Sequence, residues 1–183
     1  MNALTNVAYF LVDTLFDLYL VLIVVRFLLG MTRADFYNPI SQFVVTATNP
    51  VVLPLRKLLP PIGKIDTASI VALVGLKIVQ VVLLLLIKGV TPDIAAIIGY
   101  VIIELIVLVI YVFMFSIIIL AVMSWVNPQA YAGNNPLVSV LTSLTRPIMQ
   151  PISRIVPRMG MFDLSPLAAL LLLQVLLIVV RSF

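Results

Sequence analysis

Residues 38–66 read NPISQFVVTATNPVVLPLRKLLPPIGKID, and residues 135–163 read NPLVSVLTSLTRPIMQPISRIVPRMGMFD. Superimposed at a shift of 97, without a gap, the two stretches agree at eight of 29 positions. Asn38, Pro39, Thr48 and Pro50 match Asn135, Pro136, Thr145 and Pro147. Pro54, Pro60, Gly63 and Asp66 match Pro151, Pro157, Gly160 and Asp163. Almost all of these residues dictate the backbone and do not fill a core, so the agreement marks an internal repeat.

Apolar sequence flanks both copies. It runs from about Ala3 to Leu29, Ser69 to Ile87, Ile94 to Val126 and Ser165 to Val180. A helix needs ~20 apolar residues to cross a bilayer, and all four stretches are near or above that length. The third, at 1.5 Å per residue, is roughly 50 Å long and should tilt or project. Eleven of the twelve prolines fall from Pro39 to Pro61 and from Pro128 to Pro166, around the turns of the chain. The expected fold is an all-α membrane protein of four transmembrane helices. It forms one domain over residues 1–183, built from span–linker–span units at about 3–88 and 94–183. Two crossings per unit return the chain to its starting side, which makes the units parallel repeats.

Composition agrees. The chain is 63% hydrophobic and 10% charged, with a mean hydropathy of +1.28, whereas soluble chains are about half apolar and a quarter charged. Residues 1–30 read as a span and not as a signal peptide, because no lysine or arginine precedes Arg26 and no small-x-small cleavage site follows the apolar run. Arg33, Arg56, Lys57 and Lys64 lie in the first linker and Arg146, Arg154 and Arg158 in the second; the opposite side has Lys88 and Arg181. By the positive-inside rule both linkers are cytoplasmic and both termini outside. Trp125 falls at the cytoplasmic interface, where an aromatic anchor is expected.

Each linker has a local physical reading. Asparagine followed by proline is a helix start, N-cap then first turn. Ile40, Phe43, Val44 and Ala47 then recur at helical spacing, as do Leu137, Val140, Leu141 and Leu144. A short amphipathic helix is expected to open each linker. A second short or bent piece should follow, because Pro54 and Pro151 interrupt a regular helix. Gly63 and Gly160 would turn the chain, and Asp66 and Asp163 would cap the next span. Arg56, Lys57, Arg146 and Arg154 would touch anionic headgroups, worth ~1 kcal/mol each, or an acidic protein partner.

Charges inside a membrane are functional candidates by default. Asp13 and Asp17 share a helix face, Lys77 lies mid-way along the second span and Glu104 about ten residues into the third. Depth arithmetic pairs Asp17 with Lys77 and leaves Asp13 and Glu104 within reach of Lys88 and Arg181. Arg26 sits about a turn from the cytoplasmic end and can snorkel. Structural ion pairs are one reading and a proton or cation path the other. None of these charges recurs at the 97-residue shift, which disfavours a conduction site built equally from both halves.

Without histidine or cysteine, imidazole-ligated haem, histidine–zinc sites, thiolate metal sites and histidine- or cysteine-based nucleophilic catalysis are excluded. No phosphate-cradling glycine loop is present. No catalytic residue, cofactor or metal site is expected, and the positive charge of the linkers suits membrane orientation better than nucleic acid.

The motif set Asn-Pro, Thr-x-Pro-x-x-x-Pro and Pro-x-x-Gly-x-x-Asp, twice between hydrophobic hairpins, resembles the YggT family of bacterial integral membrane proteins in its two-repeat form. The second copy departs at Arg146, Arg158 and Pro166, where the first has Asn49, Pro61 and Ser69. The resemblance implies a link to osmotic-shock tolerance. Relatives in other bacteria lie beside cell-division genes and look like membrane partners of the division factor SepF, and a plastid relative assists haem attachment to cytochrome b. The function expected is therefore a non-enzymatic inner-membrane scaffold or assembly factor, possible as a homo-oligomer, with a partner of unknown identity. The alternative is a small channel or transporter acting in osmotic adjustment.

Overall fold

The computed structural model describes residues 2–63, 65–91, 94–126, 135–156 and 163–183. Lys64, Pro157, Arg158 and Gly160 lie outside the described residues. The elements are all helical: α1 (Ala3–Thr32), α2 (Pro39–Leu58), α3 (Thr67–Ile87), α4 (Ile94–Val126), α5 (Pro136–Ile155) and α6 (Ser165–Val180). Among the described residues the β-structure is one isolated bridge, Ile62 with Ile65.

Leucine, isoleucine and valine fill α1, α3 and α4, and each of these helices is long and apolar enough to cross a membrane. Many of their large apolar side chains are exposed, such as Phe10, Leu15, Ile102 and Phe115, a pattern suited to a lipid solvent. The fourth apolar stretch forms the shorter α6, 16 residues and about 24 Å long. The chain is a helical membrane protein.

The linkers differ from expectation in one respect. Each holds a single 20-residue helix, and the two pieces read from the sequence are continuous through Pro50 and Pro54 in α2 and through Pro147 and Pro151 in α5. A proline inside a helix removes one donor and frees the carbonyl four residues back. In α2 the carbonyls on either side of Thr46, which Pro50 frees, receive outside donors. Arg26 Nη1 donates to Val45 O at 3.1 Å and the Tyr19 hydroxyl to Ala47 O at 3.2 Å. Pro50, Pro54, Pro147 and Pro151 are all exposed, so their rings do not disturb the packed faces.

The starts of α2 and α5 are alike. Asn38 Oδ1 accepts from the Ile40 N–H at 2.9 Å, and Asn135 Oδ1 from the Leu137 N–H at 3.0 Å. The two starts also meet, because Asn38 Nδ2 donates to Pro136 O at 2.8 Å. On α2 the buried stripe is Ser41, Val44, Thr48 and Val52, while Phe43 points outward; on α5 Val138, Val140, Leu141, Leu144 and Thr145 are buried. After α2, Gly63 takes a left-handed φ of +61° between the bridged Ile62 and Ile65, a conformation a side chain would strain.

Packing follows the repeat. Helices α1, α2 and α3 contact one another, as do α4, α5 and α6, and contacts of α3 with α4, α1 with α5 and α4, and α2 with α5 join the halves. The main core gathers Leu20, Ile23 and Val24 of α1 with Val44, Ala72, Val112 and Leu144. A second cluster joins Val107, Ile110 and Ile117 of α4 to Ala169, Leu173 and Leu177 of α6. Small residues one turn apart allow close helix approach in membranes. Ala68 and Ala72 on α3 and Ser165 and Ala169 on α6 are all buried, and they correspond at the 97-residue shift.

Candidate functional site

The membrane charges gather between α1, α3 and α4. Asp13 lies ten residues into α1, Glu104 ten into α4, and Lys77 ten from the end of α3. At 1.5 Å per residue, that is one common depth of about 15 Å. Spacings of three and four residues put Asp13 with Asp17, and Lys77 with Gln80, on facing sides of α1 and α3. Lys77 Nζ lies 3.2 Å from Asp17 Oδ1 and 3.9 Å from Glu104 Oε2. Gln80 Nε2 donates to Asp13 Oδ1 at 3.0 Å, Asp13 O at 3.2 Å and Asp17 Oδ1 at 2.9 Å. Gln80 is 0% exposed and its Oε1 has no hydrogen-bond partner, a shortfall that costs ~1–3 kcal/mol in a buried amide.

These side chains line a cavity of about 650 Å³ that reaches from Asp17 and Lys77 to Val90 and Thr91 on the exposed α3–α4 turn. Tyr9 and Tyr100 complete the polar wall. Lys88 and Arg181 do not serve Asp13 and Glu104 as the sequence suggested. Lys88 Nζ instead sits 4.4 Å from the centre of the Tyr9 ring, a cation–π contact. Arg181 donates to the Tyr111 hydroxyl at 2.9 Å. The reason is geometric. The packing of α4 on α3 sets Glu104 level with Lys77, and α6 packs on α4 with its end beside Tyr111.

Arg26 is the residue whose setting the sequence did not suggest. It does not snorkel: it is 5% exposed and buried against α2. Nη1 donates to Thr48 Oγ1 at 2.8 Å and Asn49 Oδ1 at 2.9 Å, besides the Val45 carbonyl. The Thr48 hydroxyl in turn donates to Val44 O at 2.6 Å. Its repeat counterpart Thr145 also donates within its helix, to Leu141 O at 2.9 Å, but the position equivalent to Arg26 is Met123. Tyr19 and Gln80 were likewise missed as partners. Tyr19 precedes Arg26 by two helical turns and Gln80 follows Lys77 by three residues, and those spacings were the available signal.

The carboxylates at the starts of α3 and α6 behave differently. Asp66 occupies the N-cap position but makes no backbone cap bond; it accepts from the Ser69 hydroxyl at 2.8 Å and pairs with Arg56. Burial opposes its charge, yet the hydrogen bonds from Ser69 and Arg56 outweigh that and hold its carboxyl below the usual range. Asp163 accepts the backbone N–H of Ser165 at 2.9 Å. The exposed Arg56, Lys57, Arg146 and Arg154 stand on the outer faces of α2 and α5. Among the described residues no three carboxylates, histidines or cysteines are placed to hold a metal ion.

The CCB3/YggT family profile matches this chain twice, over residues 5–87 and 99–183. An uncharacterized protein of Pseudomonas aeruginosa is 37% identical over 178 residues, 96% of this chain and 89% of its own length. The uncharacterized protein in the proC 3′ region of Vibrio alginolyticus is 39% identical over 167 residues, covering 90% of this chain and 88% of that one. YggT of Escherichia coli K12 is 35% identical over 176 residues, 96% and 88% of the two chains. No solved structure matches.

Proposed function

The chain belongs to the CCB3/YggT family, and from that premise we propose that it is a non-enzymatic scaffold of the bacterial inner membrane. Four helices, α1, α3, α4 and α6, cross the bilayer as two parallel span–linker–span units. Helix α6 is short for a 30 Å core and is accommodated by local thinning. Helices α2 and α5 lie in the cytoplasmic headgroup layer, and both termini face outward.

The observation that carries this reading is the hydrogen bond from Asn38 to the Pro136 carbonyl. It ties the two linker helices into one surface. That surface exposes Phe43, Leu53, Leu58 and Ile155 beside Arg56, Lys57, Arg146 and Arg154. Apolar anchors among cations fit an anionic lipid surface and leave room for an acidic protein partner docked between headgroups. Assembly support under osmotic stress or in envelope and division-site organisation is the role such a platform suits.

The chain has no cysteine, so single cysteines report topology cleanly. A membrane-impermeant thiol reagent should label Asn2→Cys in intact spheroplasts, and Lys57→Cys and Arg154→Cys only after permeabilisation. A photo-crosslinker at Phe43 should then capture one discrete partner. Labelling of Lys57→Cys from outside would overturn the orientation and with it the docking surface. The polar cavity favours a second reading, a small channel or transporter in osmotic adjustment. Flux in reconstituted vesicles that disappears in Asp17→Asn would select it over the scaffold.

A further inference from the structure

We propose that the cavity between α1, α3 and α4 is a binding site for a primary ammonium group. The wall offers acceptors in excess of donors. Asp13, Asp17 and Glu104 face a single buried ammonium, Lys77, which lies within ion-pair distance of Asp17 and Glu104. Asp13 meets no cation at that distance among the described residues, and its Oδ1 receives the neutral amide of Gln80. The fully buried Gln80 adds an acceptor of its own, because its amide nitrogen is committed to Asp13 and Asp17 while Oε1 has no partner. An entering N–H donor is what that oxygen lacks.

The mouth of the cavity already shows how it treats such a group. Lys88, the chain's own primary ammonium, rests 4.4 Å from the Tyr9 ring centre, beside the exposed Val90 and Thr91. A ligand ammonium can replace it there by cation–π attraction and move inward to the carboxylates. The volume of about 650 Å³ lies within the range that holds small organic molecules. A metal ion is a poorer fit, since Lys77 stands among the carboxylates and no metal-holding group occurs among the described residues. The shared chemistry is an N–H-bearing cation, supplied either by a free amine in water or by the ethanolamine headgroup of a phospholipid.

The test uses the full chain in lipid-depleted detergent, titrated with ethanolamine at neutral pH and followed by calorimetry or ligand-observed magnetic resonance. Saturable binding is expected, with tetramethylammonium, which has the charge but no N–H, at least tenfold weaker. Asp13→Asn and Gln80→Leu should each weaken ethanolamine tenfold or more, with unchanged helicity and monodispersity as the fold control. Bilayer discs then separate the sources. Phosphatidylethanolamine discs that block added ethanolamine, where phosphatidylcholine discs do not, identify the lipid headgroup; binding equal in both identifies the free amine. Equal affinity for tetramethylammonium overturns the proposal, as does the absence of binding in every arm. The comparison between the two ammonium ions needs no variant, so a misfolded mutant leaves it decisive. None of these outcomes depends on the linker surface.

Discussion

The two halves of this protein share a backbone plan and differ in how their helices are bolted together. At the shift of 97, the residues that shape the chain recur: Asn38 and Asn135 cap α2 and α5, Thr48 and Thr145 are buried, and the small pairs Ala68–Ala72 and Ser165–Ala169 line α3 and α6. The polar contacts do not recur. Arg26 becomes Met123, Asp13 and Asp17 become Ile110 and Met114, Lys77 and Gln80 become Gln174 and Leu177, and Arg56 and Ser69 become Ser153 and Pro166. The second half relies on apolar packing of α4 on α6, around Ile110, Ile117, Leu173 and Leu177. Shape is thus carried by backbone-determining and small residues in both copies, whereas the buried charges among the described residues, Arg26 and Lys77, are confined to one. Buried charges in a membrane are costly to keep, and both lie on the first half's spanning helices, Arg26 on α1 and Lys77 on α3.

Exchanging a bolt for its counterpart tests this most severely at Arg26. Arg26→Met removes a charged donor from the Val45 carbonyl, Thr48 and Asn49. Hydrogen bonds to charged groups contribute ~1.5–3 kcal/mol, and stranding their acceptors adds to the cost. A loss of about 3 kcal/mol is expected in reversible unfolding from micelles. The mirror change, Met123→Leu, conserves volume and should cost under ~1.5 kcal/mol. Similar losses from both would mean that α1 holds α2 by packing alone.

At Asp17 the comparison is sharpened by a cycle. Asp17→Asn leaves Lys77, 6% exposed, with Glu104 at 3.9 Å as its remaining carboxylate. Breaking a buried pair costs ~3–5 kcal/mol when the charge left behind is fully enclosed. The Asp17 side chain is 45% exposed, so screening reduces this to about 2 kcal/mol. Adding Lys77→Met should recover at least half of the loss, because the penalty lies in the unpaired charge. Gln174→Leu, at the equivalent and exposed position of α6, should change stability by less than ~0.5 kcal/mol.

Those two positions also show what a reader of the sequence can reach. The repeat and the helix starts are legible because Asn, Pro and Gly act on the backbone locally. The Asp17–Lys77 contact follows from depth along a hairpin, which needs only the rise per residue. Arg26 was out of reach. Its partners lie 19 to 23 residues away on a helix that folds back, so the pairing depends on the rotation of α2, which no local pattern states. The continuity of α2 and α5, each through two prolines, also lies beyond a local rule, which predicts a break; all four prolines stand on exposed faces, where their rings do not disturb the packing. The small-residue pairs were legible in principle, since the same 97-residue shift exposes them, but an apolar run disguises alanine among leucines.

The smallest expected effect lies at the membrane edge, where Asp66 and Asp163 start equivalent helices with different partners. Asp66→Ala should cost about 1 kcal/mol, the usual scale for the one hydrogen bond lost from Ser69, because the Arg56 guanidinium is 41% exposed and its ion pair adds little. The pH dependence separates the two copies. Asp66 titrates below its ordinary value of 3.8 in the folded protein. Its stabilisation is therefore complete above that pH and disappears as the pH falls through the depressed folded value. Thermal unfolding of the wild type and of Asp66→Asn should differ by a constant amount above about pH 5 and converge in more acidic buffer. Arg56→Ser, which installs the second copy's residue, removes one of the two interactions that lower the folded value. Convergence should then be complete at a higher pH, with a smaller difference on the neutral side. If Arg56→Ser leaves the acid limb unmoved, Ser69 alone sets the titration, and the ion pair is no part of what distinguishes the first copy from the second.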